Sequence, residues 1–159
     1  DGKHTIYESN AILHYLATKH NSVLWPEDLS LQSKVLQWMF WQVSTWTKAV
    51  STYSFQRVLL PYWGFTSNKK PITQDESNFH RVAEILDDAL TDKNYLVADY
   101  LTMADICLAS DLFFVCQANI PIERYTNIRR WLDRLEAQPW WNETKSKVSH
   151  FLTNKHVYA

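Results

Sequence analysis

The sequence predicts a mainly α-helical protein in which a short strand and one helix precede a bundle of helices. Apolar residues recur at helical spacing along most of the 159-residue chain, whereas strand-like alternation is confined to residues 3–7. Glycine, which favours tight turns and hairpins, occurs only twice, as Gly2 and Gly64. Eight tryptophans, eight tyrosines and seven phenylalanines can fill the core. A chain of this length buries roughly 70% of its unfolded surface, so a substantial core is expected.

The chain opens with a strand-to-helix pattern. Asp1-Gly2 is a hairpin turn signal, and the alternation over residues 3–7 predicts a strand whose hairpin partner would precede residue 1. From Ser9 the apolar period becomes helical and continues to about His20, with Ser9 as the expected N-cap. A loop around Pro26 separates this helix from the next one.

A long helix is predicted from about Leu29 to Leu60, ended by Pro61. Its apolar face is wider than one core needs, and Trp41 and Thr45 fall on a shoulder of that face. Such a position suits a ligand pocket or an interface.

Four helices follow. A capping box at Thr73 and Glu76 predicts the start of the first, which reaches Leu90. The segment Leu101 to Ile106 has a capping box of Thr102 and Asp105 inside a hydrophobic staple, and predicts a buried helix over about 103–118. An apolar stripe that ends at Pro139 predicts the next helix, and the stretch 139–152 predicts the last one.

Composition excludes several classes of function. Neither GxxxxGK[ST] nor GxGxxG can be written with two distant glycines, so phosphate and dinucleotide loops of these kinds are excluded. The net charge of −1 predicts no nucleic-acid or membrane partner, and no segment is apolar enough to span a bilayer. Cys107 and Cys116 read as two buried thiols of a reducing, cytoplasmic compartment. The six histidines have no metal-ligand spacing, so no metal is expected.

The pair Glu8-Ser9 is the candidate binding site. At a strand-to-helix junction, free amides, the helix dipole and a hydroxyl can hold a carboxylate, while the Glu8 side chain can hold an adjacent ammonium. A zwitterionic amino-acid group would fit both. The alternative is that Ser9 only caps the helix and Glu8 only complements its dipole. Asp105 likewise allows two readings, a buried acid or a structural cap, and its staple favours the cap.

Three segments, taken in their order along the chain, resemble the cytosolic glutathione transferase superfamily, most of all its bacterial members. The resemblance extends over the whole chain. The three segments are Tyr7-Glu8-Ser9-Asn10-Ala11-Ile12-Leu13, Gln37-Trp38-Met39-Phe40-Trp41-Gln42, and Tyr95-Leu96-Val97-Ala98-Asp99 with Leu101-Thr102-Met103-Ala104-Asp105-Ile106.

The resemblance implies that residues 1–24 are the end of a thioredoxin-like, glutathione-binding domain and that residues 25–159 are the helical C-terminal domain. It implies that Glu8 and Ser9 hold the γ-glutamyl group of glutathione, the co-substrate. Trp41 and Thr45 would lie on the helix that lines the hydrophobic substrate pocket and the dimer interface, and Thr102 with Asp105 would be the structural capping box. The protein would form a homodimer that acts in detoxification.

The catalytic region of the family has no counterpart in this sequence. In the family, a Tyr, Ser or Cys stabilises the glutathione thiolate near the start of the thioredoxin-like domain, and a cis-proline precedes the strand matched here. We therefore expect no catalytic residue in these 159 residues and no activity from them alone. The parent protein would conjugate glutathione to hydrophobic electrophiles or reduce mixed disulfides. The alternative is a non-catalytic interaction module like the γ subunit of elongation factor one B or a stress adaptor.

Overall fold

The computed structural model describes residues 1–153, and in this range every regular element is helical. The α-helices are α1 (Ser9–Lys19), α2 (Leu29–Trp41), α3 (Thr47–Ser54), α4 (Leu60–Tyr62), α5 (Lys70–Ala89), α6 (Met103–Ser110), α7 (Thr126–Glu136) and α8 (Pro139–Thr153). Two π-helical segments, Gln42–Trp46 and Phe55–Leu59, join α2 to α3 and α3 to α4. The mainly α-helical prediction is confirmed.

The strand predicted over residues 3–7 is wrong. The amide of His4 donates to the carbonyl of Asp1 at 3.0 Å and closes a tight turn, in which Gly2 has φ 60. The Tyr7 side chain is 80% exposed and therefore makes few packing contacts. A strand needs the hydrogen bonds of a neighbouring strand, and among residues 1–153 there is none beside this segment.

The predicted helix from Leu29 to Leu60 is a continuous rod rather than a uniform α-helix. Within a π segment the backbone bonds run from residue i to i+5, so side chains five apart lie above one another. The rings of Trp41 and Trp46 accordingly stack at 5.9 Å and 17°. The rod ends one residue beyond Pro61, at Tyr62.

The end of this rod is a Schellman motif. Gly64, at φ 83, donates its amide to the carbonyl of Pro61 at 3.0 Å, and the amide of Phe65 donates to the carbonyl of Leu60 at 2.9 Å. Only a left-handed residue can complete this pattern, which explains the glycine at position 64.

Two other helix boundaries differ from the sequence prediction. The helix α5 begins at Lys70, whose amide donates to Oδ1 of Asn68 at 2.9 Å. The start predicted from the capping box at Thr73 therefore lies inside the helix. The helix α6 ends at Ser110 instead of near 118. Beyond it the amides bond three residues back, as from Leu112 to Ala109 at 2.9 Å, and the chain continues as tight turns.

The helix α6 lies at the centre of the bundle. It packs against α1 and α2, while α5 packs against α3 and α7, and α8 packs against α7. The linker before α2 is tied to the same centre, because the amide of Met103 donates to the carbonyl of Leu24 at 3.0 Å. The domain boundary between residues 24 and 25 stays a prediction.

Cys107 is buried, as predicted for both cysteines, but Cys116 is exposed and that part of the prediction is wrong. Cys116 lies in the turns that follow the end of α6 at Ser110, and not on a helix face as expected. In the described part of the chain, no helix combines the length and the apolar character needed to cross a membrane.

Candidate functional site

The start of α1 is exposed and uncapped. Glu8 occupies the N-cap position with φ 70 and ψ 116, a conformation that costs a non-glycine residue on the order of 1–3 kcal/mol. Ser9, expected as the N-cap, is instead the first residue of the helix, and no side chain caps it. The first amides of α1 and the positive end of its dipole are therefore open to an anionic group.

The next residue, Asn10, anchors this start to the rest of the molecule. Its amide nitrogen donates to the carbonyl of Met39 and to Oε1 of Gln42, both at 3.1 Å. Its Oδ1 lies 3.1 Å from Sγ of Cys107, which donates to it. One half-buried side chain thus ties α1 to both α2 and α6, and thereby fixes the position of Glu8 and Ser9.

The hydrogen-bond chain continues through the first π segment. Nε2 of Gln42 donates to Oγ1 of Thr47 at 2.7 Å and to Oδ2 of Asp111 at 2.9 Å. The Thr47 hydroxyl donates to the same Asp111 oxygen at 2.8 Å. Gln42 and Thr47 are five residues apart, so the π turn is what lets both reach one carboxylate.

Burial dominates the electrostatics of this network. It raises the pKa of Asp111, against the lowering effect of the bonds from Gln42 and Thr47. It also raises the pKa of the Cys107 thiol from the ordinary 9.0 to about 12, with a further contribution from the Asp111 charge. Because the thiolate is the nucleophilic form, Cys107 is a structural thiol that cannot serve as a nucleophile near neutral pH.

A crevice of about 350 Å³ opens between α1 and α6. Ser9 and Asn10 lie at one end of it, and the side chains of Ile12 and Leu16, exposed at 40% and 45%, form an apolar wall. Within residues 1–153, no group of His, Cys, Asp or Glu side chains has a metal-binding arrangement. The site is therefore an uncapped helix start beside an apolar crevice.

Comparison with known proteins identifies the family. Residues 47–139, more than half of the chain, match the family model described as glutathione S-transferase, C-terminal domain. The chain belongs to the glutathione S-transferase family. Glutathione S-transferase F10 of Arabidopsis thaliana is 23% identical over 94% of this chain and 72% of its own length. Glutathione S-transferase 1 of Zea mays is 27% identical over 87% of this chain and 66% of its own.

Solved glutathione transferases share the fold. A structure of glutathione S-transferase-I bound with lactoylglutathione superposes with a TM-score of 0.83 at 25% identity, over 92% of this chain and 71% of that one. A bacterial member from Pseudomonas fluorescens superposes with a TM-score of 0.71 at 24% identity, over 84% and 65%. The chain is thus shorter than the relatives that it matches.

The other predicted pocket residues lie at the junction of α2 with the first π segment. Trp41 is half-buried and packs on Trp38, at 5.2 Å between ring centroids, as well as on Trp46. Thr45 is also half-buried, and its hydroxyl lies 3.2 Å from that of Ser44. Neither residue lines the crevice beside Ser9. The link to Glu8 and Ser9 is indirect, through Gln42.

Thr102 and Asp105 form a capping box at the start of α6. Both are fully buried, and Oδ2 of Asp105 accepts from the amide of Thr102 at 2.9 Å. The other carboxylate oxygen accepts from the amide of Leu96 at 2.9 Å and from the indole of Trp131 at 3.0 Å. Burial raises the Asp105 pKa, and the hydrogen bonds oppose that shift. Asp105 therefore ties together α6, α7 and the preceding loop.

Sequence reasoning missed Asn10, Gln42, Thr47 and Asp111. Gln42 and Asp111 are 69 positions apart, and an α-helical period does not place Gln42 with Thr47. The signal that was available is the polar Gln42 inside a run of tryptophans on a helix that packs against the core. A buried polar side chain requires partners, so Gln42 could have been predicted to meet them.

Proposed function

We propose that this chain carries part of the glutathione site of a glutathione transferase. The carboxylate of the γ-glutamyl group binds the free amides and the hydroxyl at the start of α1, and its ammonium binds the Glu8 carboxylate. Support comes from the exposed, uncapped helix start, where Glu8 is held at φ 70. We also propose that Trp41 and Thr45, which are half-buried on the rod, contact a hydrophobic second substrate.

The chemistry of the whole protein would be the attack of the glutathione thiolate on a hydrophobic electrophile, or on a mixed disulfide. The chain would bind and orient glutathione but would not lower the pKa of its thiol. Cys107, the only buried thiol among residues 1–153, is bonded to Asn10 and stays protonated. We therefore propose that the 159 residues alone do not catalyse conjugation.

Glutathione binding tests this proposal. Isothermal titration or NMR should detect glutathione binding at Glu8 and Ser9, and Glu8→Ala with Ser9→Ala should weaken it at least tenfold. Cysteinylglycine, which lacks the γ-glutamyl group, should not compete. The matched control is Glu27→Ala with Ser30→Ala, since these exposed residues flank the start of α2. The proposal is contradicted if the control pair loses as much affinity for glutathione, or if binding needs no γ-glutamyl group. Conjugation of chlorodinitrobenzene by the chain alone also contradicts it.

A homodimer is also proposed, from an exposed apolar stripe along α2 and the first π segment. Leu29, Leu36, Phe40 and Val43 are exposed at 75%, 37%, 68% and 45%. At 100° per residue the four fall within about 60° of one another, so they form one face. The same stripe favours the second candidate function, a transferase-like interaction module without chemistry, because such a face can bind another protein equally well.

A further inference from the structure

The loop after the long rod and the last turns of α8 form one exposed aromatic corner. We define it by Phe55, Trp63, Phe65 and Phe151, which are exposed at 42%, 54%, 63% and 52%. Phe55 and Trp63 are in ring contact at 6.0 Å, and Tyr62 meets Phe151 at 5.7 Å, which joins the two segments. With about 200 Å² for each aromatic side chain, the corner exposes roughly 400 Å² of apolar surface, as binding patches do.

The loop holds these aromatic side chains in fixed positions. The Schellman motif at Gly64 sets the direction of the chain between Trp63 and Phe65. A few residues later, the amide of Asn68 donates to Oε1 of the buried Gln56 at 2.9 Å. The loop is therefore closed onto the rod by backbone and side-chain bonds, and its aromatic rings still face outwards.

Charge is segregated towards the corner although the whole chain is nearly neutral. No Asp or Glu occurs between Asp28 and Asp75, or anywhere after Glu143, and these stretches contain lysines and an arginine. Lys69 and Lys70, which follow the aromatic loop, form no ion pair with a described residue and are exposed.

The carboxylates nearest to the corner in sequence each contact another side chain, Glu76 that of His80 at 4.0 Å. Asp75, in the second turn of α5, accepts from the hydroxyl of Thr52 at 3.1 Å. Glu143 pairs with Lys147 at 2.8 Å on α8. Among the cations close to the corner in sequence, Arg57, Lys69 and Lys70 form no ion pair with a described residue.

We propose that the aromatic corner docks on an anionic lipid surface. Trp63 and Phe65 enter the interface between headgroups and acyl chains, where exposed aromatic rings are stabilised, and Lys69 and Lys70 contact the headgroup phosphates. A second copy of the chain would bring these lysines against each other, so a self-interface is disfavoured. An acidic peptide would need a groove, whereas Trp63 and Phe65 protrude from a turn between two helices.

Vesicle flotation tests this docking. The 159-residue chain should float with phosphatidylcholine vesicles that contain about one third phosphatidylserine, and should not float with phosphatidylcholine alone. Trp63→Ser with Phe65→Ser should reduce binding at least tenfold, while Trp63→Phe should retain it. Lys69→Glu with Lys70→Glu should reduce binding by more than tenfold, because each basic residue near such a surface contributes about a fivefold change in affinity. Raising the salt concentration should weaken binding of the unmodified chain.

The controls separate this proposal from its competitors. Tyr100→Ser and Lys93→Glu change another exposed aromatic ring, at 38% exposure, and an exposed lysine elsewhere, and should leave flotation unchanged. No flotation with anionic vesicles overturns the proposal, as does flotation that the corner variants do not affect. Two further results also overturn it. One is that the chain binds polyglutamate as tightly as it binds the vesicles, and the other is that the unmodified chain sediments as a dimer but the Trp63→Ser variant as a monomer.

Discussion

At the scale of single residues, burial determines which side chains are available for chemistry. Cys107 has its proton fixed by the Asn10 oxygen and by the loss of water around the sulfur. Asp105 accepts from the Leu96 amide, the Thr102 amide and the Trp131 indole, and so acts as a joint between segments rather than as an acid. Glu8 and Ser9, by contrast, are exposed and carry no such bonds.

The raised pKa of Cys107 predicts a loss of stability in alkali. The unfolded chain releases this proton from about pH 9, whereas the folded chain holds it until about pH 12, so the unfolded state binds fewer protons in this window. The free energy of unfolding should fall as the pH rises, by about 2 kcal/mol at about pH 10.5. Urea unfolding at several pH values measures this loss.

Two alanine variants isolate the contribution of the Cys107 thiol. Cys107→Ala should remove this part of the pH dependence, while Cys116→Ala should keep it because the Cys116 thiol is exposed. Parallel pH curves for the unmodified chain and Cys107→Ala would show that the buried thiol is not responsible.

At the scale of elements, the first π segment decides how α2 meets the rest of the protein. It stacks Trp41 on Trp46, and it directs Gln42 and Thr47 to the same oxygen of Asp111. A regular α-helix would rotate residues five apart by about 140° from each other and would separate these pairs. The segment therefore lets one helix bind both Asn10 of α1 and the turn after α6.

A double-mutant cycle between Thr47→Val and Asp111→Asn measures this connection. The two residues should show a coupling energy of about 1–2 kcal/mol in urea unfolding, because the bond is charge-assisted and largely shielded from water. The matched control is the cycle of Thr52→Val with Asp75→Asn, which also joins a hydroxyl to a carboxylate, at 3.1 Å. It should show a smaller coupling, since the hydrogen bond from Thr52 to Asp75, at 3.1 Å, is longer than the bond from Thr47 to Asp111, at 2.8 Å. Additive effects of Thr47→Val and Asp111→Asn would rule out the connection.

At the scale of the whole molecule, the exposed stripe and the aromatic corner lie at different places. The stripe around Phe40 lies along the first half of the rod, and the aromatic corner around Phe65 lies beyond its end. The corner is followed by two adjacent lysines, Lys69 and Lys70, whereas the lysines near the stripe, Lys34 and Lys48, are single, so we expect different partners for the two surfaces.

Self-association tests the stripe. Phe40→Lys should shift sedimentation of the chain from dimer towards monomer, with at least a tenfold rise in the dissociation constant, because a buried lysine without a partner is costly at an interface. Phe65→Lys is the matched control, as Phe65 at 63% is nearly as exposed as Phe40 at 68%. It should leave the dimer intact. A monomer at about 50 μM for the unmodified chain would argue against the stripe as an interface, since such interfaces hold at micromolar concentrations.

Local sequence determined the helical class, the family and the Thr102–Asp105 cap, because helical periodicity and capping depend on residues a few positions apart. It also determined the order of the motifs from which the Glu8-Ser9 site is predicted. It failed at residues 3–7, where a strand pattern has no neighbouring strand within the described residues, and at α6, which ends at Ser110.

Only the tertiary structure determined which residues form the polar network and where the charged and apolar surfaces lie. Asn10, Gln42, Cys107 and Asp111 come together because α1, the π segment and α6 pack side by side, and no local pattern encodes contacts across as many as 97 positions. Likewise, a net charge of −1 describes the chain as a whole, whereas the fold brings a stretch without carboxylates and the end of α8 to one corner. Periodicity is a property of neighbours in sequence, but burial and surface charge are properties of neighbours in space.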